Sequence, residues 1–204
     1  MAELDEAELD RLYGSWAPLT PPEVAELFAG APFRWWLAGG WAAELSGAAP
    51  RLHSDTDVVV LFDDLPAIRA HFAAFHLWEA HDGSLRPLLP DEDLRDEREQ
   101  LWVRRDAGSP WLCDLLLTPS ANGRWLFKRD HAITLPLDEL GATTDGVPHL
   151  KPSVVLLHKA RRVRPKDEQD FASLLPALDH AERTWLDGAL ARTQPDHPWR
   201  AHLG

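Results

Sequence analysis

Sulfur is scarce in this chain: one cysteine, Cys113, and one methionine in 204 residues. A single thiol excludes an internal disulfide framework and any Cys-rich zinc site. Long apolar runs are also lacking. None approaches the roughly 20 residues that span a bilayer, and the opening MAELDEAELDRLYG is acidic where a secretion signal is basic and then apolar. These absences predict a soluble, cytoplasmic protein. Basic charge is in short supply as well, with 21 Lys and Arg against 33 Asp and Glu, for a formal net charge of −12. Binding a polyanion gains mainly from neutralising phosphates with Lys and Arg, so nucleic acid is a poor match. A small, cationic partner fits better.

What is present is enough apolar material, 45% of the residues, to bury one substantial core. The pattern is α/β, or α+β. Residues 4–13 and 22–28 predict amphipathic helices, the second capped by Thr20 with proline in its first turn. Residues 34–38 form a short strand ending in Gly39-Gly40, and 41–45 begin a helix. Residues 56–62 are a buried strand by their β-branched content, and 65–75 a helix with Ile68, Phe72 and Phe75 on one face. Further strands are expected at 77–81, 100–104, 111–117 and 125–127. From residue 152 the pattern turns helical, with Pro165 restarting the chain. The expectation is a mixed-sheet core over residues 1–150 with N-terminal helices, then a small helical subdomain over 151–204 whose last residues, with Pro195 and Pro198, fray.

Charge is unevenly placed. Asp91 to Glu99 holds six acids against two arginines, and Lys151 to Lys166 holds six bases and no acid. The acidic run reads either as a solvated loop or helix or as a lure for a cationic ligand.

The most informative stretch is Leu37-Ala-Gly-Gly-Trp41 followed by Arg51-Leu-His-Ser-Asp-Thr-Asp57 and the apolar run to Phe62. A strand that ends in Gly39-Gly40 and opens a helix presents bare N–H groups at the positive end of a helix dipole, a place for a phosphate. Alone, such a turn is ordinary. Two residues apart on a strand, Asp55 and Asp57 project to one side. Close carboxylates repel, so keeping both ionised calls for a cation such as Mg²⁺, which prefers oxygen ligands.

Gly39-Gly40-Trp41-Ala42 with Arg51-x-His53-x-Asp55-x-Asp57-Val58 resembles the nucleotidyltransferase superfamily that includes DNA polymerase β. The similarity is to its small-molecule branch, the aminoglycoside 2″-adenylyltransferases and lincosamide nucleotidyltransferases. It extends through Trp111-Leu-Cys-Asp114-Leu-Leu-Leu117 and residues 150–171, covering roughly residues 33–178. Trp41 stands where polymerase-like members have a serine, which favours the small-molecule branch.

The resemblance implies a Mg²⁺-dependent enzyme that moves a nucleoside monophosphate, AMP from ATP, to a hydroxyl of a small acceptor. On this sequence it makes Asp55 and Asp57 metal ligands and Asp114 either a third ligand or the general base. It brings Gly39, Gly40, Arg51 and His53 to the triphosphate. Arg51 suits a bidentate phosphate grip, whereas His53 reads equally as a structural hydrogen-bonder. Lys159 and Lys166 stand as candidate phosphate contacts. Asp167 reads as dipole compensation near a helix start, and Asp170 as an i,i+4 partner of Lys166. Trp35 and Trp36 read as core rather than as base-stacking platforms, and Cys113 as an inert buried thiol. The alternative of another class is a nucleotide-binding regulatory or antitoxin-like protein of the same fold without turnover.

Overall fold

The computed structural model describes residues 6–81, 83–90, 92–95 and 99–204. In chain order the elements are α1 Glu6–Tyr13, α2 Pro21–Leu27, β1 Trp35–Leu37, α3 Gly39–Leu45, β2 Asp57–Leu61, α4 Leu65–His71, β3 His76–His81 and β4 Ser84–Pro87. There follow β5 Gln100–Arg104, β6 Trp111–Thr118, β7 Ser120–Ala121, β8 Arg124–Phe127, β9 Asp130–Pro136, β10 Gly141–Thr144 and β11 Val147–Leu150. The chain ends in α5 Pro152–Lys159, α6 Pro165–Leu174 and α7 His180–Thr193. The expected α/β class with mixed sheets and C-terminal helices is what forms. No helix among the described residues is long and apolar enough to cross a membrane.

Two compact units divide the chain: residues 1–35 with 53–118, and residues 36–52 with 119–204. In the first, the strands run in the order β2-β6-β5-β3-β4, with β2 parallel to β6 and the remaining pairs antiparallel. Val58, Val60 and Leu115 are fully buried, and β2 and β6 read as continuous apolar runs, whereas β5 alternates, burying Leu101 and Val103. The start of α2 follows from Glu23, whose carboxylate accepts the Thr20 amide at 2.8 Å and its hydroxyl at 2.6 Å. Trp35 is half-buried and packs against Phe28 at 4.8 Å between ring centroids. In the same unit the described part of the acidic run is loop. Arg86 meets the Glu92 carboxylate there, and Arg69 donates to the carbonyls of Leu89 and Pro90 at 2.9 Å. Asp91 and residues 96–98, like Leu4 of the first predicted helix, lie outside the described residues.

In the second unit β11 pairs parallel with β1 and antiparallel with β10, and β7-β8-β9 form a separate antiparallel sheet. Its hairpins turn on Asn122-Gly123 and Asp145-Gly146, with φ of +52° and +72° and of +50° and +80°. Positive φ at both central residues gives the twist that two-residue hairpins need. Gly141 is required for another reason: a Cβ there would stand 2.4 Å from the Trp36 ring and 2.5 Å from the His149 carbonyl oxygen.

The tail corrects the expectation of fraying. Trp199 is 2% exposed and stacks on Phe171 at 4.4 Å and 5°, while its indole N–H donates to Glu168 at 2.9 Å. The apolar ring overrides the flanking prolines, since such a stack adds about 0.5–1.5 kcal/mol to the area it buries.

Candidate active site

One register row of the first unit's sheet brings the predicted acids together. Asp57, the first residue of β2, lies opposite Asp114 on parallel β6, and Asp114 lies opposite Trp102 on β5. Cross-strand neighbours face the same side of a sheet. The two carboxylates are therefore adjacent because of register, not proximity in sequence. Asp114 is nearly buried, its amide donates to the Thr56 carbonyl at 2.8 Å, and its Oδ2 accepts from Gln100 Nε2 at 3.0 Å. Thr56 points the other way, fully buried, its hydroxyl on the Leu19 carbonyl at 2.8 Å. Asp55 precedes the strand and is exposed, yet the alternation about Thr56 leaves it on the same cleft as Asp57.

That cleft encloses about 400 Å³. Asp55, Asp57, Asp114, His53 and Ser54 line one part of it; Asp10, Tyr13, Trp16, Pro18 and Trp102 line the rest. Trp102 takes Trp16 edge-on at 4.9 Å and Tyr13 at 6.4 Å. Its indole N–H is buried with no hydrogen-bond partner among the described residues. The aromatic half and the support from Gln100 escaped the sequence analysis. Tyr13 and Trp16 sit far upstream of the motif, and only the β5–β6 register brings Gln100 and Trp102 beside the acids.

The other residues predicted to meet the triphosphate lie in the second unit. Gly39 and Gly40 open α3, two residues earlier than expected, and Gly39 has φ +58°, a conformation that disfavours side chains. Arg51 and Lys159 converge on one carboxylate: Asp170 Oδ2 is 3.5 Å from the Arg51 guanidinium and 2.9 Å from Lys159 Nζ. Lys159 also donates to Asp167 at 3.0 Å. Asp167 caps α6, accepting the Arg164 amide at 3.0 Å and its guanidinium at 2.8 Å. Burial pushes the Asp167 carboxyl up, but the Arg164 hydrogen bonds and Lys159 outweigh this and hold it down at about 2. Lys166 is the second residue of α6 and half-buried. Cys113 is fully buried, and desolvation pushes its thiol well up, with the charges of Asp114 and Asp57 adding to the effect.

Among the described residues no three His, Cys, Asp or Glu side chains are gathered into a metal cage. Mg²⁺ does not require one, since it keeps several waters and takes one or two carboxylates together with substrate phosphates. The all-oxygen pair Asp57 and Asp114, with Asp55 on the same cleft, fits that demand.

No protein-family model and no curated protein matches the chain. Among solved structures, the crystal structure of the aminoglycoside 2″-adenylyltransferase ANT(2″)-Ia in complex with adenylyl-2″-tobramycin is similar. Its TM-score is 0.55 at 13% identity, over 85% of this chain and 98% of that one. The solution structure of the antibiotic-resistance factor ANT(2″)-Ia gives 0.54 at 14% identity, over 89% and 92%. The lincomycin-bound crystal structure of the lincosamide adenylyltransferase LnuA gives 0.49 at 15%, over 74% and 92%. At such identities the first two likenesses establish architecture. This chain has the nucleotidyltransferase fold of the ANT(2″)-Ia structures, the fold its glycine turn and aspartates predicted.

Proposed function

We propose that the protein is a Mg²⁺-dependent nucleotidyltransferase that moves AMP from ATP onto a hydroxyl of a small molecule of the aminoglycoside or lincosamide kind. The observation that carries this reading is the Asp57–Asp114 pair, in register on adjoining parallel strands, with Asp55 on the same cleft. The fold supports it, because a solved structure of that fold holds adenylyl-2″-tobramycin, an adenylylated product.

In the reaction the acceptor oxygen forms a bond to the α-phosphorus, the bond from that phosphorus to the bridging oxygen breaks, and pyrophosphate leaves with the electron pair. Catalysis is then mostly positioning and charge neutralisation. Asp55, Asp57 and Asp114 would hold Mg²⁺, which when bound neutralises phosphate charge and acidifies an oxygen attached to it. Gln100 fixes one oxygen of Asp114, so this carboxylate is oriented before substrate arrives, either as a ligand or as the base that takes the hydroxyl proton. The resemblance assigns Gly39, Gly40, Arg51, His53 and Lys166 to the triphosphate; Lys159, held between Asp167 and Asp170, reads as a structural charge.

The test is pyrophosphate release by the purified chain with Mg²⁺, each of the four NTPs, and a panel of aminoglycosides and lincosamides. Release is expected only with metal and acceptor together. Asp57→Asn should lower kcat by about 100-fold or more, the scale of losing charge stabilisation in a transition state. Silence of the wild type across the whole panel overturns the reading. Nucleotide binding without turnover, together with a stoichiometric protein partner, favours the regulatory alternative.

A further inference from the structure

We propose that the cleft selects an acceptor carrying both a protonated amine and a flat apolar face, and that the segment from Asp10 to Pro18 builds the wall that reads it. Calling the ligand an acceptor rests on the transferase reading above; the wall's selectivity does not.

Charge comes first. Four carboxylates line the cleft, those of Asp10, Asp55, Asp57 and Asp114, and no lysine or arginine does among the described residues. Such a cavity repels a bare polyanion and concentrates cations. Asp55, Asp57 and Asp114 are assigned to the reaction, which leaves Asp10, exposed on α1, for a cationic group on the ligand.

Shape comes second. Trp16 and Trp102 meet edge to face at 4.9 Å and 72°, and Tyr13 meets Trp102 at 6.4 Å and 82°. All three are only partly buried. Partly exposed aromatic faces around one cleft gain from an apolar ring laid on them and from an ammonium held over them.

The wall is preorganised. The segment runs alongside the start of β6: the Trp111 amide donates to the Ser15 carbonyl and the Ala17 amide to the Trp111 carbonyl, both at 2.9 Å. The Trp111 indole donates to the Tyr13 carbonyl at 2.7 Å. Rings already held in place lose little freedom when a ligand arrives.

Isothermal titration of the full chain with three matched alcohols tests this. Phenylalaninol carries ring, amine and hydroxyl; 3-phenylpropan-1-ol lacks the amine; 2-aminopropan-1-ol lacks the ring. Phenylalaninol should bind at least about tenfold more tightly than either truncation. Trp16→Ala should reduce it to the level of 2-aminopropan-1-ol, and Trp16→Phe should restore most of the loss, which separates a ring contact from a folding defect. Asp10→Asn should weaken the two amines and leave 3-phenylpropan-1-ol unchanged. Equal binding of all three, no phenylalaninol binding at millimolar concentration, or a folded Trp16→Ala with wild-type affinity overturns the proposal. Pyrophosphate release is followed separately on the acceptor panel. Phenylalaninol binding with no release from any NTP defeats the transferase reading and leaves the selectivity standing. Release that ignores ring and amine defeats the selectivity alone.

Discussion

Lys159 is an ammonium with little water around it. Its side chain is 7% exposed, and it lies 3.0 Å from Asp167 and 2.9 Å from Asp170, two carboxylates that are themselves buried. Removing one member of such a group leaves uncompensated buried charge, which costs more than the group contributes as a whole. Lys159→Met is therefore expected to destabilise the protein by about 3 kcal/mol, read as a lower urea midpoint without nucleotide. A variant that keeps its midpoint and only raises the KM for NTP would show that the lysine serves phosphate rather than the fold. Helical spacing predicted Lys166 as a partner of Asp170; the structure also brings Lys159 and Arg51 to that carboxylate. Chain reversal at Pro165 brings α5 back to α6, and no count along one helix reaches across it. By contrast Asp55, Asp57 and Asp114 were legible, because acids beside apolar strand runs have few structural uses.

At the scale of elements, the strands with clear apolar or aromatic runs were read from sequence, and β4, β7, β9, β10 and β11 were not. β4, β7, β9 and β10 have mostly exposed or half-buried positions, and β11 is only four residues long, so their patterns are faint. Their signal lay in the turns, Asn122-Gly123 and Asp145-Gly146, which are strong hairpin dipeptides. These hairpins shape the surroundings of α5, where His158 lies 6.0 Å from the Trp125 ring and 5.4 Å from that of Phe127. Desolvation, aided by the charges of Arg129 and Lys128, pulls this imidazole down to about 3. Burial likewise lowers His149 and His197. A histidine kept neutral in the fold and free to protonate when unfolded contributes stability above its unfolded pKa near 6.5, and that stability is lost as pH falls below it. For His158 the loss runs down to about pH 3, at up to about 1.4 kcal/mol per pH unit. His158→Phe keeps a ring beside Trp125 and Phe127 and removes the titration. Its urea midpoint should fall less than that of the wild type between pH 7 and pH 4.5, and parallel curves would dismiss the histidine as the cause.

Over the whole molecule, the formal charge of −12 argued against nucleic acid before any site was known, and the acid-lined cleft gives that imbalance a local meaning. Residues 36–52 group with 119–204 rather than with their chain neighbours, an arrangement that no linear boundary expresses. The wall of Asp10, Tyr13 and Trp16 was equally hidden, since only tertiary contacts place it beside the aspartates. Global charge and local site make different demands on Mg²⁺. Diffuse repulsion among surface carboxylates is screened by any salt at matched ionic strength, whereas a cation held at Asp57 and Asp114 stabilises the fold by mass action. With a Kd of about 1 mM, 10 mM Mg²⁺ would add about 1.4 kcal/mol and raise Tm by about 3–6 °C in a chain of this size. Sodium chloride at the same ionic strength should give less, and Asp57→Asn should abolish the difference while keeping whatever the salt provides. If Mg²⁺ and sodium chloride shift the wild-type Tm equally, or if Asp57→Asn responds to Mg²⁺ as the wild type does, the cation is answering the surface and not the paired aspartates.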